Sequence, residues 1–294
     1  MEARSSSVKV DLETSRARPV GAYGFRLEGA GQRLLLPAQP GWPSIRLSQE
    51  IVERVAPPAL EIGSEHATVP LICGGKILID RDPPAATLKL PHRLTEDQIA
   101  HPYLSPIASV HAHWLGRQTF HGGGIVIEER AWGVLGQREA GKSSLLAEAV
   151  RQGVPVLTDD LLVTDGPNVF AGPRSVDLRE PAAHHFGVGR PLGVVGRRER
   201  WRVELPTVPP SFPLAGWVFL RWGQTPGAKT LGLKDRLSRL AANRTVRVGS
   251  ADPGPLLRLA ALPALELTAV KRWDALPDLF ESLLEAIVGL ESPA

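Results

Sequence analysis

Two glycines, a lysine and a serine stand at the spacing of a phosphate-binding loop. Residues 134–146 read VLGQREAGKSSLL and satisfy the pattern G-x-x-x-x-G-K-[ST]. Glycine permits backbone conformations in which successive N–H groups converge on one anion, and the N-terminus of the following helix adds to the attraction. The lysine would contact the β and γ phosphates, and the serine hydroxyl would bind Mg²⁺. The pattern therefore predicts a site for ATP and Mg²⁺ formed by Gly136, Gln137, Arg138, Glu139, Ala140, Gly141, Lys142, Ser143 and Ser144.

The alternative interpretation is a glycine-rich turn that carries a lysine by chance. Only seven of the 34 cationic residues are lysines, and the others are arginines. A lysine at the position where the pattern requires one therefore favours the nucleotide site.

A pair of adjacent aspartates, Asp159 and Asp160, ends the next apolar run, VPVLTDD. A strand, a loop, a helix and a parallel strand form a βαβ unit, so we expect the ends of its two strands to lie side by side. Two carboxylates at such an edge repel each other unless a cation or a donor offsets them. One carboxylate would serve the metal, and the other would accept the proton of a hydroxyl group that receives the phosphate. The alternative is a pair that only caps a turn.

The composition excludes several classes of protein. The chain has 294 residues, of which 43% are apolar and 22% charged, as in a globular protein. No apolar run reaches the length of a membrane helix and the first residues do not resemble a secretory signal, so we expect no membrane partner and a cytoplasmic protein. A net charge of +3 without a basic tract argues against nucleic acid. The single cysteine, Cys73, fits a reducing compartment and is interpreted as a small buried apolar residue.

The pattern of polar and apolar residues divides the chain into three predicted parts. Residues 1–19 are polar and are interpreted as a flexible tail. Residues 20–118 carry short apolar runs between glycines and prolines, which predict a β-rich N-terminal part without a second active site. From residue 119 to residue 294 strands alternate with helices, which predicts an α/β core.

Several elements are predicted within these parts. A helix should begin at Thr95 or Glu96 and be interrupted near Pro102 or Pro106. In the core we expect a hairpin before the phosphate-binding loop, a helix after it, a buried strand over 215–223 and an amphipathic helix at the C-terminal end.

The stretch FHGGGIVIEERAWGVLGQREAGKSSLLAEAVRQGVPVLTDDLLV resembles the catalytic stretch of HPr kinases, bacterial protein-serine kinases with a phosphate-binding loop. His121-Gly122, the loop ending in Lys142-Ser143 and the pair Asp159-Asp160 match in order, over residues 119–172. The resemblance implies an α/β fold with a P-loop kinase core of the HPr kinase type. It also implies ATP-dependent transfer of the γ-phosphoryl group to a Ser or Thr hydroxyl of a peptide or protein.

The resemblance also implies roles for individual residues. Asp159 would be the base for the acceptor hydroxyl, Lys142 would act on the phosphates, and His121 would join the catalytic group beside the aspartates. Asp160 and Ser143 would be the metal ligands.

Two departures indicate a divergent, HPr kinase-related member. The family's Glu-x-Arg-Gly segment is matched only loosely by Asp177 and Arg179, and the stretch VELPTVPPSFPLAGWVFL has no arginine where the family carries one for the reverse reaction. Some related proteins phosphorylate a peptide hydroxyl, so a peptide substrate is expected rather than HPr. Whether the chain forms a homo-oligomer is left open.

Other constellations leave alternatives. The segment VGRRERWRVELP, with Arg197, Arg198, Arg200 and Arg202, is either a lid over the phosphates or a solvated loop. His111 and His113 have no partners at metal-site spacing, so zinc is not expected. The alternative functions are a nucleotide-binding regulator with weak NTPase activity and a small-molecule kinase.

Overall fold

The computed structural model describes residues 9–10, 18–53, 58–71, 74–196, 198–248 and 252–291. Cys73, Arg197 and most of the tail predicted for residues 1–19 lie outside the described residues. The architecture is mixed α/β with sheets dominating, which confirms the predicted class. The division of the chain at residue 118 stays a prediction. Within the described ranges, no helix has both the length and the apolar character needed to cross a membrane.

The first part of the chain forms a nine-stranded sheet with the order β4-β2-β3-β5-β9-β8-β7-β6, in which β1 also pairs with β5. Buried and partly exposed residues alternate along β8 and β9, as expected for strands with one face on the core. The strands are β1 Lys9–Val10, β2 Val20–Ala22, β3 Phe25–Glu28, β4 Leu36–Pro37, β5 Ser44–Ile51, β6 Glu61–Ile62, β7 His66–Leu71, β8 Gly75–Asp80 and β9 Ala85–Leu90.

The predicted helix after this sheet is present and is interrupted once. Thr95 caps α1 (Glu96–Gln98) in a capping box: its hydroxyl accepts from the Gln98 N–H, and the Gln98 side chain accepts from the Thr95 N–H. A π-helical turn, Ile99–Tyr103, contains Pro102 and leads into α2, Leu104–Trp114. The interruption near Pro102 is confirmed, whereas Pro106 lies inside α2 near its start, where proline is tolerated.

The second part of the chain builds an eight-stranded sheet and a three-stranded sheet of order β15-β17-β16. The elements are β10 Gln118–Ile127, β11 Arg130–Gly136, α3 Lys142–Arg151, β12 Val156–Thr158, β13 Leu161–Thr164, β14 Asn168–Phe170, β15 Ser175–Leu178, α4 Glu180–Phe186, β16 Arg190–Val195, β17 Arg198–Glu204, β18 Ser211–Trp222, β19 Gly227–Thr230, α5 Leu233–Asn243, α6 Gly254–Ala261, β20 Ala264–Ala269 and α7 Leu276–Glu291. The predicted hairpin, buried strand and C-terminal helix are confirmed.

Three neighbouring parallel strands, β11, β18 and β20, form the centre of the eight-stranded sheet. Val134 of β11 joins a cluster with apolar residues of α3 and α7, whereas Leu135 joins one with residues of α5 and α6. Helices therefore cover both faces, which explains why these strands are nearly continuous apolar runs.

The prediction that the ends of β11 and β12 lie side by side is wrong. The two strands run in the same direction, but β10 lies between them and pairs antiparallel with each. A hydrophobic run shows that a strand exists but does not show which strand hydrogen-bonds to it. The crossover through α3 still brings the C-terminal ends of β11 and β12 to the same edge of the sheet.

Candidate active site

The phosphate-binding loop connects the end of β11 to the start of α3. Its backbone has positive φ at Glu139 (68°) and Gly141 (94°), and Gly141 is the N-cap of α3 without a side-chain acceptor. A Cβ atom at Gly136 would lie 2.5 Å from the Leu220 carbonyl oxygen of β18, so only glycine fits there. The Trp222 indole N–H donates to the Glu139 carbonyl oxygen over 2.9 Å and fixes the outer side of the loop.

Lys142 is folded into its own loop. Its ammonium group donates to the carbonyl oxygens of Gly136 (2.8 Å) and Gln137 (3.0 Å). Burial lowers the pKa of Lys142, while Asp159 and Asp160 act in the opposite direction. The ammonium group is therefore held at the mouth of the loop, where a phosphate group would lie.

The acidic pair lies in a break between β12 and β13. Both strands pair with the same edge of β10, and Asp160 interrupts them with a positive φ of 67°. The Gly122 N–H donates to the Asp160 carbonyl oxygen over 3.2 Å, which attaches the break to β10. The two carboxylates consequently stand at the same edge as the phosphate-binding loop.

Asp159 is the buried member of the pair and contacts the start of α3. The Ser143 hydroxyl lies 3.3 and 3.4 Å from the two carboxylate oxygens of Asp159. The Asp160 N–H donates to the Asp159 carboxylate over 2.9 Å. Burial raises the pKa of Asp159; His101 lowers it, and the neighbouring carboxylates of Asp160 and Asp177 raise it further. Among the described residues, Asp159 has no arginine or lysine ion-pair partner.

Asp160 and His121 form the more exposed side of the site. The His121 Nδ1 atom lies 3.1 Å from the Asp160 carbonyl oxygen and 3.6 Å from a carboxylate oxygen of Asp160. About a third of the Asp160 side chain and nearly half of the His121 side chain are exposed, at 34% and 44%. Both side chains are therefore partly exposed, and both line the cavity described below.

A second carboxylate, Asp177 of β15, lies directly behind Asp159. Arg202 of β17 holds it through two nitrogens at 2.8 and 2.9 Å, and His101 lies 3.5 Å away. Burial would raise the pKa of Asp177, but His101 and Arg202 outweigh burial and hold that pKa below its ordinary value. The Asp177 N–H in turn donates to Asp159 over 3.4 Å, so this cluster supports the acidic pair from behind.

The arginine-rich segment VGRRERWRVELP is interpreted from the sequence as either a lid over the phosphates or a solvated loop, and neither interpretation describes all of its arginines. Arg202 is only 2% exposed and belongs to the core of the three-stranded sheet, so the solvated-loop interpretation is wrong for it. Arg198, together with Arg179 of the loosely matched Asp177-x-Arg179 segment, pairs with the Glu139 carboxylate of the phosphate-binding loop at 3.1 and 3.0 Å. Two guanidinium groups thus lie against the loop.

One cavity of about 730 Å³ joins these groups. Its lining contains the predicted residues His121, Lys142, Ser143, Asp159 and Asp160, together with Arg138, Glu139, Ala140, Gly141 and Ser144 of the loop. Gly136 supplies a carbonyl oxygen to Lys142, and so does Gln137. The structure therefore brings all the predicted residues to one place.

The residues fit a nucleotide and a hard cation. The first N–H groups of α3 have no capping side chain at Gly141, and such a helix terminus attracts anions. Serine and carboxylate oxygens are the ligands of Mg²⁺, which takes one or two carboxylates and completes its shell with water and phosphate oxygens. Within the described residues no group of three or more His, Cys, Asp or Glu side chains could hold a metal ion.

Sequence reasoning missed His101 and Trp222. His101 lies in the interrupted helical region, and no pattern links it to Asp177. Trp222 had a signal: it is the last residue of the apolar run AGWVFLRW, and residues at the C-terminal ends of parallel strands line the ligand sites of α/β sheets.

The comparisons with known proteins give a likeness to solved structures and none to a sequence family. No protein-family model matches the sequence, and no curated protein matches it either. Among solved structures, the HPr(Ser) kinase/phosphatase from Coxiella burnetii is similar with a TM-score of 0.32 and 11% identity, over 60% of this chain and 99% of that one.

Proposed function

We propose that this protein is an ATP-dependent phosphotransferase that transfers the γ-phosphoryl group to a Ser or Thr hydroxyl of a peptide or protein. The observation that carries the proposal is the placement of a phosphate-binding loop opposite two carboxylates in one cavity, with Ser143 in contact with Asp159. This arrangement combines an anion site, a cation site and a base.

The residues of the loop bind and orient the nucleotide. The N–H groups at the start of α3 and the Lys142 ammonium group would hold the β and γ phosphates. A Mg²⁺ ion supplies neutralisation of the phosphate charge when it is bound. Arg179 and Arg198, which now pair with Glu139, are close enough to the loop to contribute positive charge.

The contact between Ser143 and Asp159 supports an exchange of the two aspartate roles. A hydroxyl and a buried carboxylate that already touch can share one cation, so we assign metal binding to Ser143 and Asp159. Asp160, with His121 beside it, is more accessible to an acceptor and would take the hydroxyl proton. The sequence-based assignment, with Asp159 as the base and Asp160 as the metal ligand, stays a prediction. Substitutions of Asp159 and Asp160 test both assignments.

The transfer step is a direct displacement. The acceptor oxygen forms a bond to the γ phosphorus, the bond from that phosphorus to the β,γ-bridging oxygen breaks, and ADP leaves. The acceptor proton passes to the carboxylate that serves as the base.

The test uses radiolabelled ATP, Mg²⁺ and the full-length protein with an array of Ser- and Thr-containing peptides and with the products of neighbouring genes. We expect labelled phosphate on an acceptor with wild-type protein and none with Lys142→Ala, because the variant lacks the cation at the phosphates. Lys234→Ala, which removes an exposed lysine of α5, is the matched control and should transfer normally.

Three outcomes would contradict the proposal. Equal ATP affinity and equal transfer in wild type and Lys142→Ala would show that the loop is not the nucleotide site. ATP hydrolysis that depends on Lys142 without transfer to any peptide would favour the nucleotide-binding regulator, and labelled phosphate on a small alcohol would favour a small-molecule kinase.

A further inference from the structure

The cavity extends beyond the phosphate-binding loop, on the side away from the aspartates. β12 and β10 precede β11 across the sheet, while β18 and β20 follow it, so Asp159 and the end of β18 lie on opposite sides of the loop. Trp222 at the end of β18 and residues 270–273 after β20 line this second half. The parallel strands bring these residues to the same edge as the loop.

The direction of a nucleotide in this cavity follows from the cation site. The γ-phosphoryl group must face the carboxylates, because the metal ligand and the base are there. The α phosphate and the nucleoside therefore point to the other side of the loop, toward β18 and β20. The ribose and base must occupy the half of the cavity that the catalytic residues do not use.

That half offers aromatic surface. Trp222 and Trp273 are 37% and 39% exposed, and both line the cavity with Leu276 and Leu279 of α7. Trp222 also stands against the loop, since a Cβ atom at Gly141 would lie 3.1 Å from its ring. Flat, partly exposed indole rings are surfaces on which nucleobases stack.

The two tryptophans are held in place by their neighbours. The Trp222 indole N–H donates to the loop carbonyl of Glu139, and the Lys271 ammonium group lies 5.6 Å from the Trp222 ring centre. Trp273 stacks on His185 of α4 with ring centres 4.8 Å apart. Rings fixed in this way lose little conformational entropy when a base stacks on them.

We propose that Trp222 and Trp273 form a binding site for a purine base, with Trp222 next to the phosphates. This proposal rests on the proposed function, because it assumes that the loop binds a nucleoside triphosphate. A two-ring purine overlaps an indole more than a pyrimidine does, so ATP and GTP should bind more tightly than CTP.

The test compares ATP with inorganic tripolyphosphate, which carries the phosphates without a base. Isothermal titration calorimetry with Mg²⁺ should give wild-type protein a clear preference for ATP. Trp273→Leu should weaken ATP binding about tenfold, within the range of base stacking on aromatic residues, and leave tripolyphosphate binding unchanged. Trp222→Leu should weaken ATP binding about tenfold more than tripolyphosphate binding, because it loses the stacking ring and also the N–H donor to the loop. Trp114→Leu, a partly exposed tryptophan of α2 outside the cavity, is the matched control.

Trp222→Phe separates stacking from positioning of the loop, because it keeps an aromatic ring but loses the N–H donor to Glu139. The proposal predicts that this variant retains most of the preference for ATP over tripolyphosphate. Far-ultraviolet circular dichroism and melting temperature identify variants that fail to fold, and Trp273→Phe then replaces Trp273→Leu.

The outcomes distinguish this proposal from the proposed function. Equal wild-type affinities for ATP and tripolyphosphate would overturn the base site while the phosphate site stands. Equal loss of both ligands in Trp222→Leu and Trp222→Phe, with no effect of either Trp273 variant, would also overturn it, because Trp222 would then only position the loop. Failure of wild-type protein to bind either ligand would overturn the phosphate site itself.

Discussion

Asp159 and Asp177 are both buried carboxylates, and the backbone N–H of one donates to the side chain of the other over 3.4 Å. Their surroundings differ in one respect. Arg202 donates two hydrogen bonds to the Asp177 carboxylate, and His101 lies 3.5 Å from it. The side-chain partner of Asp159 is the neutral hydroxyl of Ser143. The pKa of Asp177 is accordingly held low, and burial raises the pKa of Asp159.

The difference supports the proposal that Asp159 binds a ligand, whereas Asp177 has a structural role. A buried charge is costly unless a partner offsets it. Among the described residues, Asp177 has an arginine within ion-pair distance and Asp159 has none. At Asp159 the fold leaves the charge to be balanced from outside. A divalent cation, brought in with the nucleotide phosphates, is the partner that this arrangement fits.

The largest expected effects concern catalysis by the acidic pair. Asp160→Asn should bind ATP and Mg²⁺ within a few-fold of wild type and lose transfer by about a hundredfold to ten-thousandfold, as general-base variants do. Asp159→Asn should lose Mg²⁺-dependent ATP affinity and transfer together, because the Asp159 carboxylate would be a ligand of the cation. Titrations of ATP with and without Mg²⁺, followed by transfer assays, give both quantities.

The reverse pattern would restore the sequence-based roles. If Asp159→Asn keeps Mg²⁺-dependent binding and loses only transfer, Asp159 is the base and Asp160 the metal ligand. If both variants change ATP hydrolysis alone, neither role in transfer to a hydroxyl stands.

The same substitution at the two neighbouring carboxylates should destabilise the protein at Asp177 but not at Asp159. Asp177→Asn leaves Arg202 buried without a counter-charge and should lower the free energy of unfolding by about 3 kcal/mol. Asp159→Asn removes a buried charge that has no cation partner, so without Mg²⁺ it should leave stability unchanged or raise it. Urea titrations of both variants at neutral pH measure the difference.

An exposed ion pair provides the control for this comparison. Arg190→Met breaks a surface pair with Asp97, in which the Arg190 side chain is 49% exposed, and should cost less than about 1 kcal/mol. A loss in Asp159→Asn as large as that in Asp177→Asn would contradict the distinction between the two carboxylates.

Local rules explain what the sequence could predict. The hairpin of β10 and β11, the loop, α3 and the start of a helix at Thr95 or Glu96 depend on residues close together in the chain, and all could be predicted from spacing. The identities of the site residues followed from a pattern of the same kind. Their division into base and metal ligand came from the family resemblance and stays a prediction.

Long-range pairing explains what the sequence could not predict. The insertion of β10 between β11 and β12 leaves no trace in the hydrophobic pattern of any of the three strands. Arg202 stands in a segment rich in arginine, and only its pairing with Asp177, 25 residues away, shows that it is buried. Spacing reveals the residue types that a site needs, whereas burial and partners come from the fold.

His111 extends the comparison to a buried group that avoids its charge altogether. It lies in the N-terminal core, 4% exposed, with its ring against those of Phe25 and Trp114. Its Nε2 atom has no hydrogen-bond partner among the described residues. Burial lowers the pKa of His111 to about 4, although a backbone contact with Ala85 opposes the shift. The folded protein therefore keeps this imidazole neutral under conditions where an exposed histidine takes up a proton.

The expected effect that is smallest at neutral pH is the pH dependence that His111 adds to stability. In the unfolded chain the imidazole has a pKa of about 6.5, so as the pH falls the unfolded state binds the proton first. The contribution of His111 is complete above that value and is lost by about 1.4 kcal/mol per pH unit on the way down to its folded pKa. His111→Phe, whose ring suits the aromatic neighbours, should flatten the dependence of unfolding free energy on pH between 6.5 and 4. His113→Phe, at a less buried position, should flatten it less, and an unchanged slope in His111→Phe would show that His111 does not stay neutral in the folded core.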